Sequence, residues 1–94
     1  MTDTQLLVGS LSNDLFRVAS LAQRGATKAA LRFLLEAKRW SVPLQEKKVA
    51  GYILKIAKSV SDQNEETISI ADAEKNLMYG VLLQNYALHG SELK

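Results

Sequence analysis

Apolar residues recur at intervals of three and four positions along most of this chain, and this spacing constrains the fold more than any other feature. Such intervals place side chains on one side of an α-helix. The alternation of polar and apolar residues that is typical of β-strands is confined to residues 67–70, too few to build a sheet. A single proline and five glycines interrupt the pattern. We therefore predict an all-α fold.

Signals for helix ends divide the chain into four predicted helices. Their expected ranges are residues 3–24, 28–40, 43–60 and 70–88. Gly25 suits the position just after the first helix, and Thr27 is a candidate cap for the second. Pro43 suits the first turn of the third helix. Ser69 and Asp72 resemble a capping box for the fourth, which Gly90 is expected to close. The sequence leaves open whether the first two helices continue through Gly25.

The predicted architecture is a small, irregular bundle-like domain of four helices that comprises residues 1–94. Fraying is expected in residues 1–4 and 91–94. Short connections between helices of similar length favour antiparallel packing. The predicted second helix is short and apolar around most of its circumference, which is typical of a helix at the centre of its domain. These features make the bundle irregular rather than symmetric.

Two expectations concern the packing of the fourth helix. Its predicted buried stripe comprises Ile70, Leu77, Val81 and Leu88. Gly80 lies on another side of the helix and predicts close packing against a neighbouring helix. Glu74 projects toward the predicted buried stripe, where an unpaired charge is unfavourable. We therefore expect Glu74 to form an ion pair with Arg17 or Arg32.

Several kinds of catalytic site lack their usual residues in this sequence. The chain has no cysteine, and its single histidine, His89, falls at the end of the last predicted helix. Its glycines are isolated and form no phosphate-binding motif. We therefore predict that the chain is not an enzyme and has no catalytic, cofactor-binding or metal-ligating residues. The start of the chain does not resemble a signal peptide, and no apolar run approaches the roughly 20 residues of a membrane span. A cytoplasmic protein is expected.

Charge is distributed unevenly along the chain. Ten of the twelve lysines and arginines precede residue 61, whereas six of the ten acidic residues follow it. The leading interpretation is a protein–protein interaction module that binds an acidic partner through the basic surface of its first three helices. The candidate partner-binding residues are Arg24, Lys28, Arg32, Lys38, Arg39, Trp40, Lys47, Lys48, Gly51 and Lys55.

Gly51 and Trp40 are included for different reasons. Gly51 falls within the predicted third helix, one turn from Lys47 and one turn from Lys55, where it would leave the backbone bare for a partner. We expect Gly51→Ala to raise stability and to weaken partner binding. Trp40 follows two basic residues, and tryptophan is common in interface anchors, although a core position before Pro43 is the simpler interpretation.

Three alternatives remain open. The chain is also predicted to self-associate through Leu31 and Leu35 at the edge of the second helix. A nucleic-acid-binding protein would use the same basic surface, although the leucine-rich second helix offers few side chains that read base edges. A bundle that holds an apolar ligand between its helices would contain a sizeable internal pocket.

Overall fold

The structure, a computed structural model, describes residues 2–89. Within these residues it consists of four α-helices without a β-strand, which confirms the predicted all-α bundle. The helices are α1 (Asp3–Gln23), α2 (Thr27–Leu44), α3 (Gly51–Ser61) and α4 (Ile70–His89). Asp3 and Thr4 are helical. Met1 and residues 91–94, where fraying is expected, lie outside the described residues.

Both ends of α1 are fixed by local hydrogen bonds. At the start, the Thr2 hydroxyl accepts from the Gln5 amide at 3.1 Å, and the Thr2 amide donates to the Gln5 side chain at 2.9 Å. This is a capping box. At the end, Gly25 has a φ of +79°, its amide donates to Ala22, and the Ala26 amide donates to Leu21. This pair of bonds is a Schellman motif, and it ends α1 rather than continuing the helix into α2.

The second helix is not short, as the sequence analysis predicted. It has 18 residues, whereas α3 has 11 and is the shortest helix of the described chain. The buried positions of α2 continue past Trp40 at intervals of three and four residues, to Ser41 and Leu44. Pro43 therefore lies in the last turn of α2, where the loss of one amide donor is tolerated because Leu44 is fully buried. Thr27 is the first helical residue of α2 rather than its cap, since Ala26 holds that position.

The third helix begins at Gly51, eight residues later than predicted. Ala50 precedes it in an extended conformation, and its carbonyl accepts from the amides of Ile53 and Leu54. Lys47 and Lys48 consequently lie in the connection between α2 and α3, not on a helix. The mistaken boundary came from the assignment of Pro43 to a helix start.

The predicted start of the fourth helix is confirmed. The Asp72 amide donates to the Ser69 hydroxyl and the Ser69 amide donates to the Asp72 carboxylate, each at 3.0 Å. These reciprocal bonds satisfy two amide groups that the first turn leaves without helical partners. Gly90, the predicted closing residue, lies outside the described residues.

The inner helices of the bundle are α1, which packs antiparallel to both α2 and α4, and α2, which also packs against α3. The core consists mainly of aliphatic side chains from all four helices, namely Val8, Leu11, Leu15, Val18, Leu34, Ala37, Leu44, Ile53, Ile56, Ala57, Val60 and Leu83. Within the described residues, every buried side-chain nitrogen or oxygen has a hydrogen-bond partner. Burial in the core therefore leaves no polar side-chain atom of these residues without a hydrogen bond.

The face of α4 that packs against α1 differs from the predicted one. The buried residues of α4 are Ala73, Asn76, Gly80 and Leu83. The predicted stripe of Ile70, Leu77, Val81 and Leu88 is exposed instead. Gly80 explains the choice of face, as the Ser12 hydroxyl donates to its carbonyl at 2.7 Å and the Phe16 ring lies over its Cα. The prediction that Gly80 permits close helix packing is confirmed.

Candidate functional site

Five exposed residues of α2, three basic and two aliphatic, form a line along the helix, which we call the α2 stripe. Its members are Lys28, Arg32, Leu35, Arg39 and Val42. They follow one another at intervals of four, three, four and three residues, so they lie on one side of the helix over about 21 Å. Leu35 is 45% exposed and Val42 is 60% exposed. The structure thus brings three of the predicted basic residues together with two aliphatic side chains.

The other predicted partner-binding cations are dispersed. Arg24 lies beside the Gly25 turn, and Lys47 and Lys48 lie in the connection after α2. Lys38 is half-buried, and its ammonium group donates to the backbone carbonyl of Gln63. That bond ties α2 to the segment between α3 and α4. Lys38 therefore has a structural partner within the chain.

Trp40 and Gly51, the two candidate residues without a charge, differ in their exposure. Trp40 is half-buried against the core, and its indole nitrogen donates to the Asp14 carboxylate at 2.9 Å. Gly51 is exposed at the first position of α3, and a Cβ there would have no heavy atom within 4 Å. The open space makes Gly51→Ala sterically harmless. Its predicted location within a helix interior, between two lysines of the same helix, is wrong.

Asp14 is a buried carboxylate on α1 that the sequence analysis did not single out. Burial raises the pKa of Asp14, and the nearby Glu36 raises it further, while the hydrogen bond from Trp40 and the charge of Arg17 lower it. The Arg17 guanidinium lies 3.5 Å from the carboxylate and also stacks over the Phe33 ring at 5.3 Å. The Trp40 hydrogen bond and the Arg17–Phe33 cation–π contact therefore join α1 to α2, whereas the ion pair lies within α1. One feature of the sequence indicated the burial of Asp14, because it follows Leu11 by three residues within the apolar repeat of α1.

A second polar cluster joins the segment after α3 to α4. The side-chain amides of Gln63 and Asn76 bond reciprocally at 2.6 and 3.0 Å. Nearby, the hydroxyls of Ser41 and Ser61 lie 2.7 Å apart, and the Gln45 amide donates to Ser61 at 3.0 Å. These bonds satisfy polar groups where helices of different direction meet. Their role is to fix the connections of the bundle.

Three lysines surround an open depression between α3 and α4. Lys55 and Lys58 come from α3 and Lys75 from α4, with Ser59 and Gln63 beside them. Lys58 also forms an ion pair with Asp62 at 3.3 Å. Lys75 was missed as a basic surface residue because it falls in the acidic part of the sequence. This group of cations is separate in sequence and position from the α2 stripe.

Six large apolar side chains are exposed on α4, and we call this set of residues the α4 face. Its members are Ile70 (77% exposed), Leu77 (42%), Met78 (53%), Val81 (43%), Leu82 (38%) and Leu88 (65%). Monomeric proteins seldom expose apolar patches that extend over several hundred Å². On α2, by contrast, Leu35 is exposed but Leu31 packs against the core. The more extensive apolar surface therefore belongs to α4, although self-association was predicted through α2.

A groove between α1 and α4 adjoins one end of the α4 face. It has a volume of about 510 Å³ and is lined by residues that include Leu6, Gly9, Asn13, Gln84 and Leu88. Leu6 is 52% exposed. The groove opens at the surface, so its geometry differs from that of the internal ligand pocket considered above.

Glu74 lies among the exposed residues of α4 and does not form the predicted pair with Arg17 or Arg32. It is exposed, and the ion pairs within residues 2–89 are Arg17 with Asp14 and Lys58 with Asp62. The prediction failed because it assumed that the stripe around Glu74 is buried. Since that stripe faces solvent, the carboxylate needs no partner from within the chain.

No helix within residues 2–89 combines the length and the hydropathy that crossing a bilayer requires. In the same residues, no group of three or more His, Asp or Glu side chains is arranged to hold a metal ion. Comparisons with protein-family models, with curated proteins and with solved structures found no match to this chain.

Proposed function

We propose that this chain is a small, non-enzymatic interaction module of the cytoplasm that binds an acidic protein partner through the α2 stripe. The supporting observation is the arrangement of Lys28, Arg32 and Arg39 on one exposed line, with Leu35 between the two arginines and Val42 after Arg39. A surface that presents both charge and aliphatic contacts suits a partner that offers carboxylates next to apolar side chains. The cysteine-free composition is compatible with a reducing compartment.

The chemistry of the stripe supports a protein rather than a small anion. Arginine guanidinium groups form bidentate hydrogen bonds with carboxylates, and Arg32 and Arg39 lie two turns apart. Leu35 lies between them at the same side of the helix, so a partner that engages both arginines also covers Leu35. An amphipathic helix or strand with acidic residues at matching intervals meets these requirements.

Nucleic acid is the rival partner, and the aliphatic residues of the stripe argue against it. A phosphate backbone makes little use of exposed leucine and valine, whereas Leu35 lies between two arginines and Val42 follows them. Phosphate binding through several cations would weaken steeply as salt is raised.

The proposal can be tested by titrating the isotope-labelled chain with two defined probes. One is a synthetic amphipathic helix that carries glutamates and leucines at four-residue intervals, and the other is a short DNA duplex. We expect the peptide to shift the amide resonances of the α2 stripe. Reversal of two charges, Arg32→Glu with Arg39→Glu, should weaken peptide binding about tenfold or more, equivalent to at least about 1.4 kcal/mol.

The matched control reverses two lysines on α3, Lys55→Glu with Lys58→Glu, and should leave peptide binding nearly unchanged. If the peptide leaves the α2 resonances unmoved, or if both double variants bind it as the parent does, the stripe is not a docking site. Tighter binding to the duplex, with a steep loss of affinity as salt increases, would favour the nucleic-acid alternative instead.

A further inference from the structure

The helix α4 carries two stripes of residues at helical spacing, and the fold uses only one of them. Ala73, Asn76, Gly80 and Leu83 pack against the rest of the bundle. A second stripe, centred about 100° around the helix from the buried one, follows the spacing of a two-stranded coiled coil, in steps of four and three residues. It comprises Ile70, Glu74, Leu77, Val81, Gln84 and Leu88, all of them exposed.

We infer that this second stripe, which includes Ile70, Leu77, Val81 and Leu88 of the α4 face, is the interface of a homodimer in which two α4 helices pack antiparallel across a two-fold axis. The order of residues along the stripe supports this arrangement. When a second copy runs in the opposite direction, with residue 79 at the centre, Ile70 meets Leu88 and Leu77 meets Val81. Glu74 then meets Gln84. Apolar residues thus contact apolar residues, and the two polar positions contact each other, as an isologous interface requires.

Charge selects the antiparallel direction. In a parallel, in-register pair, the two Glu74 carboxylates would lie against each other in the seam, which is unfavourable for like charges. In the antiparallel pair, they are about ten residues apart along the axis, or about 15 Å. Each carboxylate instead meets a Gln84 side-chain amide, which can donate a hydrogen bond to it.

The groove between α1 and α4 provides a site for the most exposed aliphatic side chain. Ile70 is 77% exposed. In the antiparallel arrangement, Ile70 of one copy lies opposite Leu88 of the other, and Leu88 lines the groove of about 510 Å³ with Leu6 and Gln84. The side chain can therefore enter the groove. The two-fold axis repeats this contact at the other end of the interface.

The composition of α4 favours a second copy over a lipid surface. Helices that lie in a membrane interface carry lysines and arginines along their polar face. Within Ile70–His89, the only lysine or arginine is Lys75, and the exposed seam contains a carboxylate, Glu74. An anionic bilayer would repel that group. A second α4 helix that runs in the opposite direction places a Gln84 side-chain amide beside it.

The size of the surface indicates a reversible dimer. A helix of 20 residues is about 30 Å long and, with side chains, about 10 Å wide. Together with the edge of α1, this area is at or below the roughly 800 Å² per partner that is common in stable complexes. We therefore expect the dimer population to depend on protein concentration.

The test measures mass by sedimentation equilibrium from low micromolar to near-millimolar concentration. The parent chain should pass from monomer to dimer. Leu77→Glu should keep the helical content and thermal midpoint of the parent monomer but remain monomeric throughout. Leu35→Glu is a matched control because Leu35 and Leu77 are exposed to similar extents, 45% and 42%. It should dimerise as the parent does.

Two outcomes would overturn the inference: a parent chain that remains monomeric at every concentration, or a dimer that Leu35→Glu abolishes and Leu77→Glu preserves. The second outcome would support self-association through α2 instead.

Direction is tested with introduced thiols, since the chain has no cysteine of its own. One preparation carries Glu74→Cys and another carries Gln84→Cys. A short bis-maleimide should cross-link a mixture of the two preparations efficiently, whereas either preparation alone should cross-link poorly. Efficient cross-linking of the Glu74→Cys preparation alone would contradict the antiparallel arrangement.

Discussion

The helices α1 and α4 pack against each other along their length, yet they present opposite kinds of side chain to the interior. α1 buries large aliphatic residues, namely Val8, Leu11, Leu15 and Val18. α4 buries a single large aliphatic, Leu83, together with Ala73, Asn76 and Gly80, and exposes its other large aliphatics. The difference shows that the small residues of α4 let it approach α1 closely, because bulky side chains at the same positions would hold the backbones apart.

The two helices therefore contribute to stability in different ways. Full burial of an aliphatic side chain contributes about 1.5–3 kcal/mol. α1 gains this contribution within the monomer. The α4 face gains it only when another surface covers it. This contrast can be tested within a single helix and then between the two helices.

The largest expected effect distinguishes the two sides of α4. Leu83 is fully buried and Leu77 is 42% exposed. Leu83→Ala should lower the free energy of unfolding by about 2–5 kcal/mol, since it removes core contacts and leaves a cavity. Leu77→Ala should change it by less than about 0.5 kcal/mol when measured on the monomer at low concentration. Urea unfolding curves of both variants give the comparison. Similar losses of unfolding free energy would contradict the burial of Leu83 and the exposure of Leu77.

Each helix also buries polar side chains, and Asp14 of α1 and Asn76 of α4 are stabilised differently. Asp14 of α1 accepts from the Trp40 indole, whereas Asn76 of α4 exchanges two hydrogen bonds with Gln63. The amide pair is neutral and does not titrate. Asp14 does titrate, and burial raises its pKa above the ordinary value of 3.8. Stability should therefore depend on pH through α1 and not through Asn76.

Loss of the hydrogen bond from Trp40 to Asp14 is expected to have the next largest effect on stability. Trp40→Phe removes the donor, and a buried group that loses its partner costs about 1–3 kcal/mol. A raised folded-state pKa means that the folded chain binds more protons than the unfolded chain between pH 3.8 and the folded-state value. Stability therefore falls as pH rises through that window. Because the lost bond had lowered the pKa, the variant should lose more stability than the parent over this range.

Thermal unfolding from acid to neutral pH checks the sign of this effect. The difference between Trp40→Phe and the parent should be smallest in acid, where Asp14 is protonated in both proteins, and largest near neutral pH. In an Asp14→Asn background, the pH dependence of the difference should disappear. A difference that widens toward acid pH would contradict the assigned role of the indole.

The sequence predicted the helical fold and the start of α4, and it offered Gly25 as an end for α1 while leaving open a continuation into α2, since all of these depend on local signals. Capping residues and a glycine with positive φ act on their own neighbours. Pro43 was misleading because the buried position at Leu44 outweighs the proline's preference for a helix start. The packed face of α4 was also misassigned, because both of its stripes have helical spacing, and only the complementary shape of α1 around Phe16 distinguishes them.

The surfaces were predictable in part for the same reason. Lys28, Arg32, Leu35 and Arg39 share one side of α2 because they belong to a single helix whose period is fixed. Lys47 and Lys55 were expected one turn on either side of Gly51 in the same helix, but α3 begins at Gly51, so Lys47 and Lys48 precede it. Bonds between distant segments, such as Lys38 with Gln63, depend on tertiary packing and left no signal in the sequence.

The smallest expected effect compares a glycine on each helix. A Cβ at Gly80 would lie 2.9 Å from Cε1 of Phe16, whereas a Cβ at Gly9 of α1 would have no heavy atom within 4 Å. Gly9→Ala should raise the free energy of unfolding by about 1 kcal/mol through helix propensity. Gly80→Ala gains the same propensity but overpacks the helix contact, which costs about 1–3 kcal/mol. We therefore expect Gly80→Ala to be neutral or destabilising by up to about 2 kcal/mol, and Phe16→Leu in the same chain should recover part of the difference. If both alanine variants stabilise the protein equally, the close approach of α4 to α1 does not depend on the missing side chain at Gly80. In that case, Gly80 does not explain why the α4 face points outward.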